Sequence, residues 1–129
     1  MEHSAEEQAN LDLVTGLFRD VLNPMDSSAV ERFIAPDYIQ HSQMAPPGRD
    51  ALKDFLDMIR EASPQAVHDV KRMFADKDHV IVHYHVRRWP EDIGFAVMDI
   101  FRIENGLIAE HWDVTMDVPT GGPNPNSAF

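Results

Sequence analysis

Hydrophobic positions in this chain recur first at helical and then at alternating intervals, which divides it into a helical first half and a stranded second half. Val14, Leu17, Phe18 and Val21, with Leu11 one turn earlier, fall on one face of a 3.6-residue repeat. Ser4 and Glu7 have capping-box spacing, so an amphipathic helix is expected to run from there to just before Pro24, whose ring disfavours helical geometry at the preceding residue. Ser28 and Glu31 repeat that spacing and predict a short helix burying Val30, Phe33 and Ile34 before Pro36. Tyr38-Ile39-Gln40-His41 reads as a brief extended piece. After the loop Met44-Ala45-Pro46-Pro47-Gly48, the positions Leu52, Phe55, Leu56 and Ile59 predict a third helix ending near Ser63-Pro64.

From Ala66 onward the period is two. Val67 to Phe74 and Val80 to Arg88 read as strands joined by the turn Asp76-Lys77-Asp78, and Trp89 to Gly94 as a connection, with Trp89 beside Pro90 expected to close it over the interior. The last pair is V-M-D-I-F-R-I-E-N-G-L-I-A-E-H-W-D-V, residues 97–114, in which Asn105-Gly106 tolerates the positive φ angles of a tight hairpin. Alternation puts Asp99, Phe101 and Ile103 on one face of its first strand and Met98, Ile100 and Arg102 on the other. On the second strand His111 and Asp113 share a face that Trp112 opposes. After Val118 the tail holds Pro119, Gly121, Gly122, Pro123 and Pro125 and is expected to be irregular. The expectation is an α+β domain over 1–129, with its core at about 11–119: N-terminal helices packed on a strongly curved antiparallel sheet that encloses a cavity.

Composition narrows the function classes. A length of 129 residues suits one domain, and no apolar run approaches the roughly 20 residues that span a bilayer. The first residues lack a signal-peptide pattern, so a cytoplasmic location is expected. With no cysteine, disulfides, thiol nucleophiles and thiolate metal sites are excluded. A net charge of -11, with Lys71-Arg72 and Arg87-Arg88 the only adjacent basic pairs, argues against nucleic acid as a partner.

The order of elements, the Tyr38-Ile39-Gln40-His41 stretch before Pro46-Pro47-Gly48-Arg49, and the D-I-F-R-I-E-N-G-L-I-A-E-H-W-D-V run resemble the SnoaL-like polyketide cyclases, a family of the superfamily named after nuclear transport factor 2. The resemblance extends from about Leu11 to Pro119. It implies a cone of helices and bent sheet around a deep cavity, frequent homodimers, and ring closure by intramolecular aldol condensation without metal or cofactor. A more distant relative, ketosteroid isomerase, carries a similar D-x-F-R-F stretch, which implies that Asp99 faces the cavity. In that enzyme the aspartate is a carboxylic acid kept protonated as an oxyanion donor. Its oxyanion tyrosine corresponds to Phe18 here and its aspartate base has no match near His41 and Ser42, so steroid isomerisation is not expected.

Aldol chemistry needs a base beside a carbonyl, a donor for the developing oxyanion and an apolar space that holds the chain folded. Asp99 and Asp113 are the candidate bases, because burial raises a carboxylate's proton affinity. His111 and His41 come next, since imidazole titrates near neutrality. Phe18, Tyr38, His83, His85 and Phe101 are expected to line the pocket. Each reading has a structural competitor: Asp99 paired with a cross-strand group such as His83, His111 as a satisfied core histidine, His41 as a cap or surface group. His83 and His85 share a strand face and with His111 could offer three imidazoles, but no carboxylate or second spaced motif follows, and no metal is expected. Epoxide hydrolysis through an Asp-Arg-Asp arrangement is disfavoured because Arg102 points opposite to Asp99. No G-x-S-x-G elbow, phosphate loop or H-E-x-x-H signature occurs. The expected partner is a small apolar carbonyl compound, with a non-catalytic ligand-binding module as the rival reading.

Overall fold

The computed structural model describes residues 2–129. Helix α1 (Ala5–Leu17) opens on a complete capping box: Glu7 N donates to Ser4 Oγ at 3.1 Å and Ser4 N to Glu7 Oε1 at 2.9 Å. The other Glu7 oxygen accepts from Lys77 N at 3.0 Å, and Asn10 Nδ2 donates to the Lys77 carbonyl at 3.1 Å, so the helix is docked on the turn between two strands. A widened π turn (Phe18–Leu22) completes the helix before Pro24. The next segment is a 3-10 helix (Ser27–Arg32) whose cap is Asp26 and not Ser28, because Asp26 Oδ1 accepts from both the backbone and the hydroxyl of Ser28. Strand β1 (Ile34–Gln40) then begins four residues earlier than the pattern suggested and carries Pro36. An edge strand with irregular pairing tolerates that missing donor.

Helix α2 (Arg49–Ala62) follows, and β2 (Val67–Asp76), β3 (His79–Arg87), β4 (Phe95–Glu104) and β5 (Leu107–Asp117) form a meander. The sheet order is β1-β5-β4-β3-β2. The expected antiparallel sheet is therefore mixed: β2 to β5 are antiparallel, whereas β1 lies parallel to β5. A parallel neighbour needs a crossover rather than a hairpin, and here α2 and three strands supply it. Asn105 and Gly106 adopt φ of 53° and 75°, the doubly positive geometry of a tight hairpin turn.

Two bulges set which side chains face inward. Between β4 and β5 the register steps from Arg102↔Glu110 to Ile103↔Ile108, so Ile108 and His111, an odd number of residues apart, are both buried. Between β2 and β3 the step lies between Val70 and Arg72, and it lets His68 and Met73 both turn inward. The core joins Val14, Leu17, Phe18 and Val21 of the first helix to Val80, Val82, Tyr84 and Val86 of β3 and to Val97, Phe101, Ile103 and Ile108. No regular element follows Asp117. Among the described residues no helix is long and apolar enough to cross a membrane.

The β3–β4 connection is built on a buried carboxylate. Asp92 accepts from Arg88 N at 3.0 Å, Arg88 Nε at 2.7 Å, Arg88 Nη2 at 3.1 Å and Gly94 N at 3.0 Å. Trp89 does not close this connection over the interior: it is half exposed, with the Arg88 guanidinium 4.8 Å over its ring. Gly94 has φ of +71°, and a Cβ there would lie 1.9 Å from the Val86 carbonyl oxygen. Gly94→Ala is expected to destabilise the fold by more than about 2 kcal/mol, read as a lower urea midpoint, because strain and a backbone clash add.

Burial holds the His68 imidazole down at about 4 against an ordinary 6.5, partly opposed by the Asp99 charge. A folded-state value below the unfolded one means that the unfolded chain takes up the proton first. Stability from this group is intact above pH 6.5 and falls as pH drops to about 4. His68→Phe is expected to remove up to about 3 kcal/mol of the wild-type loss over that window, measured as the difference between the two urea-unfolding pH profiles.

Candidate active site

Between the inner sheet face and the helices lies a cavity of about 330 Å³, within the range of small-ligand sites. The apolar face of α2 supplies Leu52, Phe55, Leu56 and Ile59 to one wall; the sheet supplies Val86, Phe95, Val97 and Phe101 to the other. Against this apolar lining the polar groups gather at one place: Asp99, His111 and Asp113, with Gln40 and Ser42 beside them.

Strand register brings them together. Asp99 is paired with Asp113 and Phe101 with His111 across β4–β5, while Gln40 of β1 is paired with His111 from the other side. The His111 ring stacks on Phe101, centroids 4.9 Å apart, and reaches diagonally to Asp99, with Nε2 2.9 Å from Oδ1. Its Nδ1 lies 2.7 Å from Gln40 Oε1. That oxygen also accepts from Ser42 N at 3.1 Å, which identifies it as the amide oxygen and makes His111 Nδ1 the donor. With Nδ1 protonated, the Nε2 to Oδ1 contact holds one further proton, carried either by the imidazole or by the Asp99 carboxyl. Asp99 is only 2 % exposed, so this hydrogen bond is its main compensation for leaving water.

Asp113 has a different partner. Ser42 Oγ donates to its Oδ2 at 2.8 Å and accepts from Met44 N at 3.3 Å, an arrangement that aims the hydroxyl proton at the carboxylate. Tyr38 and Tyr84 complete the polar lining, and burial first, then the Asp99 charge, pushes both phenols well above their ordinary range. Both therefore stay protonated and remain hydrogen-bond donors.

One ligand atom each from Asp99, His111 and Asp113 lie within 4.8 Å of one another, a nitrogen and two oxygens that suit a divalent cation in type. Their present bonding fits a proton better. Both nitrogens of His111 are engaged, and a cation would have to displace the proton that joins Nε2 to Asp99.

The predicted site residues divide between the two faces of the sheet. Asp99, His111, Asp113, Tyr38 and Phe101 line the cavity. Phe18 does not: its ring is spent edge-on against Tyr84, centroids 4.9 Å apart, and Tyr84 presents the hydroxyl that Phe18 lacks. His41 points outward, stacked on Trp112 at 5.0 Å with Nε2 2.6 Å from Glu110 Oε2. Alternation along β1 explains this, since Tyr38, Gln40 and Ser42 facing inward leave the odd positions outside. His83 and His85 are outside for the same reason, because Val82, Tyr84 and Val86 take the inner face of β3. His85 Nε2 is 2.7 Å from the Ile93 carbonyl, His83 pairs with Arg72, and the Phe129 ring packs on both imidazoles. Asp99 consequently pairs with His111 and not with His83. Gln40, Ser42, Tyr84 and His68 were not singled out in the sequence; parity from Tyr38 would have found the first two.

A family model described as SnoaL-like domain matches residues 14–111. Among solved structures, the fold is similar to that of a proposed polyketide cyclase from Acidithiobacillus ferrooxidans (18 % identity, TM-score 0.71, covering 89 % of this chain and 91 % of that one). It is also similar to that of a proposed SnoaL-like polyketide cyclase from Jannaschia sp. CCS1 (18 % identity, TM-score 0.72, covering 89 % and 90 %). A cystatin-fold protein from Novosphingobium aromaticivorans superposes with TM-score 0.70 at 17 % identity, covering 81 % and 97 %. No curated protein matches the chain in sequence. These structural likenesses establish the fold alone, and the family model, matching well over half of the sequence, establishes that this chain belongs to the SnoaL-like family.

Proposed function

We propose that this protein is a cofactor-independent enzyme that binds a small, largely apolar carbonyl compound in the cavity and moves protons at the carbon beside its carbonyl. The names of the structural neighbours, polyketide cyclases, suggest ring closure, and intramolecular aldol condensation is the reaction type that the resemblance to SnoaL-like cyclases implies. The observation that carries this reading is the buried 2.9 Å contact between His111 Nε2 and Asp99 Oδ1 beside a second carboxylate that has only a serine hydroxyl as its partner.

Asp113 is assigned as the base. Its Oδ1 has no protein partner, and Ser42 aims the group without neutralising it. Removing a proton beside a carbonyl leaves charge on the substrate oxygen, and the Tyr38 and Tyr84 hydroxyls supply donors for it in a low-dielectric space. The His111–Asp99 pair gives its proton to the alkoxide as it forms, and the proton that Asp113 took from the substrate then restores the pair, so the cycle ends with the same number of protons on the protein as it began. The apolar lining holds the substrate folded and excludes water, which raises the effective concentration of the two reacting carbons. On the rival reading, a ligand-binding module without turnover, the same cavity would hold its ligand with no proton exchange.

The two readings are separated by exchange in D2O, with 2-acetylnaphthalene as the probe and mass spectrometry of its methyl group as the readout. Wild-type protein is expected to accelerate deuteration, and Asp113→Asn to reduce the acceleration by about 100-fold or more, within the usual range for a general base. Binding without any acceleration by the wild-type protein would leave the ligand-binding module as the function.

Ser42→Ala is expected to lower the exchange rate by about tenfold with little change in affinity, since a positioning contact worth about 1.4 kcal/mol is lost. Dialysis against a chelator is expected to leave the rate unchanged; a loss restored by Zn²⁺ would reassign the cluster to a cation.

A further inference from the structure

The cavity carries one more polar side chain that nothing in the protein satisfies. His68 is turned inward by the bulge in β2, and its ring lies 5.9 Å from that of Tyr84, centroid to centroid. Its Nδ1 is shielded from solvent and is the only buried side-chain nitrogen or oxygen among the described residues without a hydrogen-bond partner. Among the described residues Nε2 has no hydrogen-bond partner either. A buried N–H left unpaired is rarer and costlier than an under-used lone pair. The neutral ring therefore keeps its proton on Nε2, the nitrogen left open to the cavity that His68 lines.

His68 reaches the cavity from a strand remote from β5, which carries His111 and Asp113, while Asp99 on β4 is near enough for its charge to act on the ring. β2 is three places from β5 in the sheet, and strand spacing of about 4.8 Å separates their backbones by about 14 Å, with side chains converging from both. The basic group nearest in kind, Arg88, also lines the cavity but is committed to Asp92 through Nε and Nη2. With Asp99 and Asp113 on the same cavity and Arg88 already paired with Asp92, a carboxylate ligand would be repelled.

We propose that His68 is a ligand-binding residue whose Nε2–H donates to a second, neutral oxygen of the bound compound. That oxygen is a ketone or ester carbonyl remote from the one at Asp113, and the cavity thereby selects dicarbonyl over monocarbonyl ligands. This inference rests on the reading of the cavity as a carbonyl site.

The test compares 2,6-diacetylnaphthalene with 2-acetylnaphthalene by calorimetry, alongside ring ¹⁵N NMR of the histidines in the intact protein. Wild-type protein is expected to bind the diketone about tenfold tighter, His68→Phe to lose that preference while holding the monoketone within about twofold, and His68→Gln, which keeps a donor at a similar reach, to restore most of it. The ring of His68 is expected to be protonated at Nε2 and its resonance to move with the diketone and not with the monoketone. An undiminished preference in His68→Phe, or a ring protonated at Nδ1, overturns the proposal; should His68→Phe fail to fold, the wild-type spectra and His68→Gln decide. Failure of either ketone to bind wild-type protein overturns both this inference and the proposed function. A His68-dependent preference in a protein that never exchanges the ketone's protons supports His68 and overturns only the enzymatic reading.

Discussion

The pairing of β4 with β5 fixes the rest of this structure, because one register places Asp99 opposite Asp113, Phe101 opposite His111, and the apolar residues Ile103 and Ile108 together at the closed end of the hairpin. A slip of one residue would turn Asp99 and His111 to the outer face and bring Met98, Ile100 and Trp112 inside. Two local features hold the register. The Asn105-Gly106 turn has the positive φ values that match strand twist, and the bulge after Ile108 absorbs the extra residue that would otherwise leave His111 out of phase. β1 then lies parallel to β5 and contributes Gln40 to His111 from the opposite side. Three strands therefore meet at one imidazole.

Burying polar groups in an apolar cavity has a cost that this site meets by chaining them. Ser42 N fixes the orientation of the Gln40 amide, the amide fixes the His111 tautomer, and His111 satisfies Asp99. A second, shorter chain runs from Met44 N through Ser42 Oγ to Asp113. Ser42 takes part in both, so the loop after β1 couples the two carboxylates without their touching the same partner. Low local dielectric strengthens each bond in such a chain and equally penalises any member left alone. That contrast makes His68 conspicuous: it shares the cavity, yet neither ring nitrogen has a protein partner.

Alternation sorts the two faces of β1, β3 and β4. Inside are Tyr38 and Gln40 on β1 with Ser42 just beyond it, Val82, Tyr84 and Val86 on β3, and Asp99 and Phe101 on β4. Outside are His41 against Trp112, His83 and His85 beneath Phe129, and the half-exposed Met98 and Ile100. The sequence reading of His41 and Tyr38 as members of one site is incompatible with this parity, since they stand an odd three positions apart along extended chain. His83 and His85 do share a face, as their spacing requires, but which face depends on whether Val82 and Tyr84 or the histidines pack on the helices, and transfer free energy favours burying valine and tyrosine.

The amino-acid sequence by itself determined the succession of helices and strands, the position of the hairpin turn, and the common face of Asp99, Phe101, His111 and Asp113, because these follow from local propensity and period. A resemblance to the SnoaL-like cyclases, carried by the order of elements, by Tyr38-Ile39-Gln40-His41 before Pro46-Pro47-Gly48-Arg49 and by the final hairpin, also pointed to an α+β fold. Tertiary structure decided what local pattern cannot express: the parallel seat of β1, the bulges that change phase within β2 and β5, and the partners of each polar group. A hydrogen bond between Gln40 and His111, or between Ser42 and Asp113, joins residues 71 positions apart. No periodicity encodes such a pairing, since it exists only when the helices and the sheet have closed around the cavity and water is no longer the alternative partner.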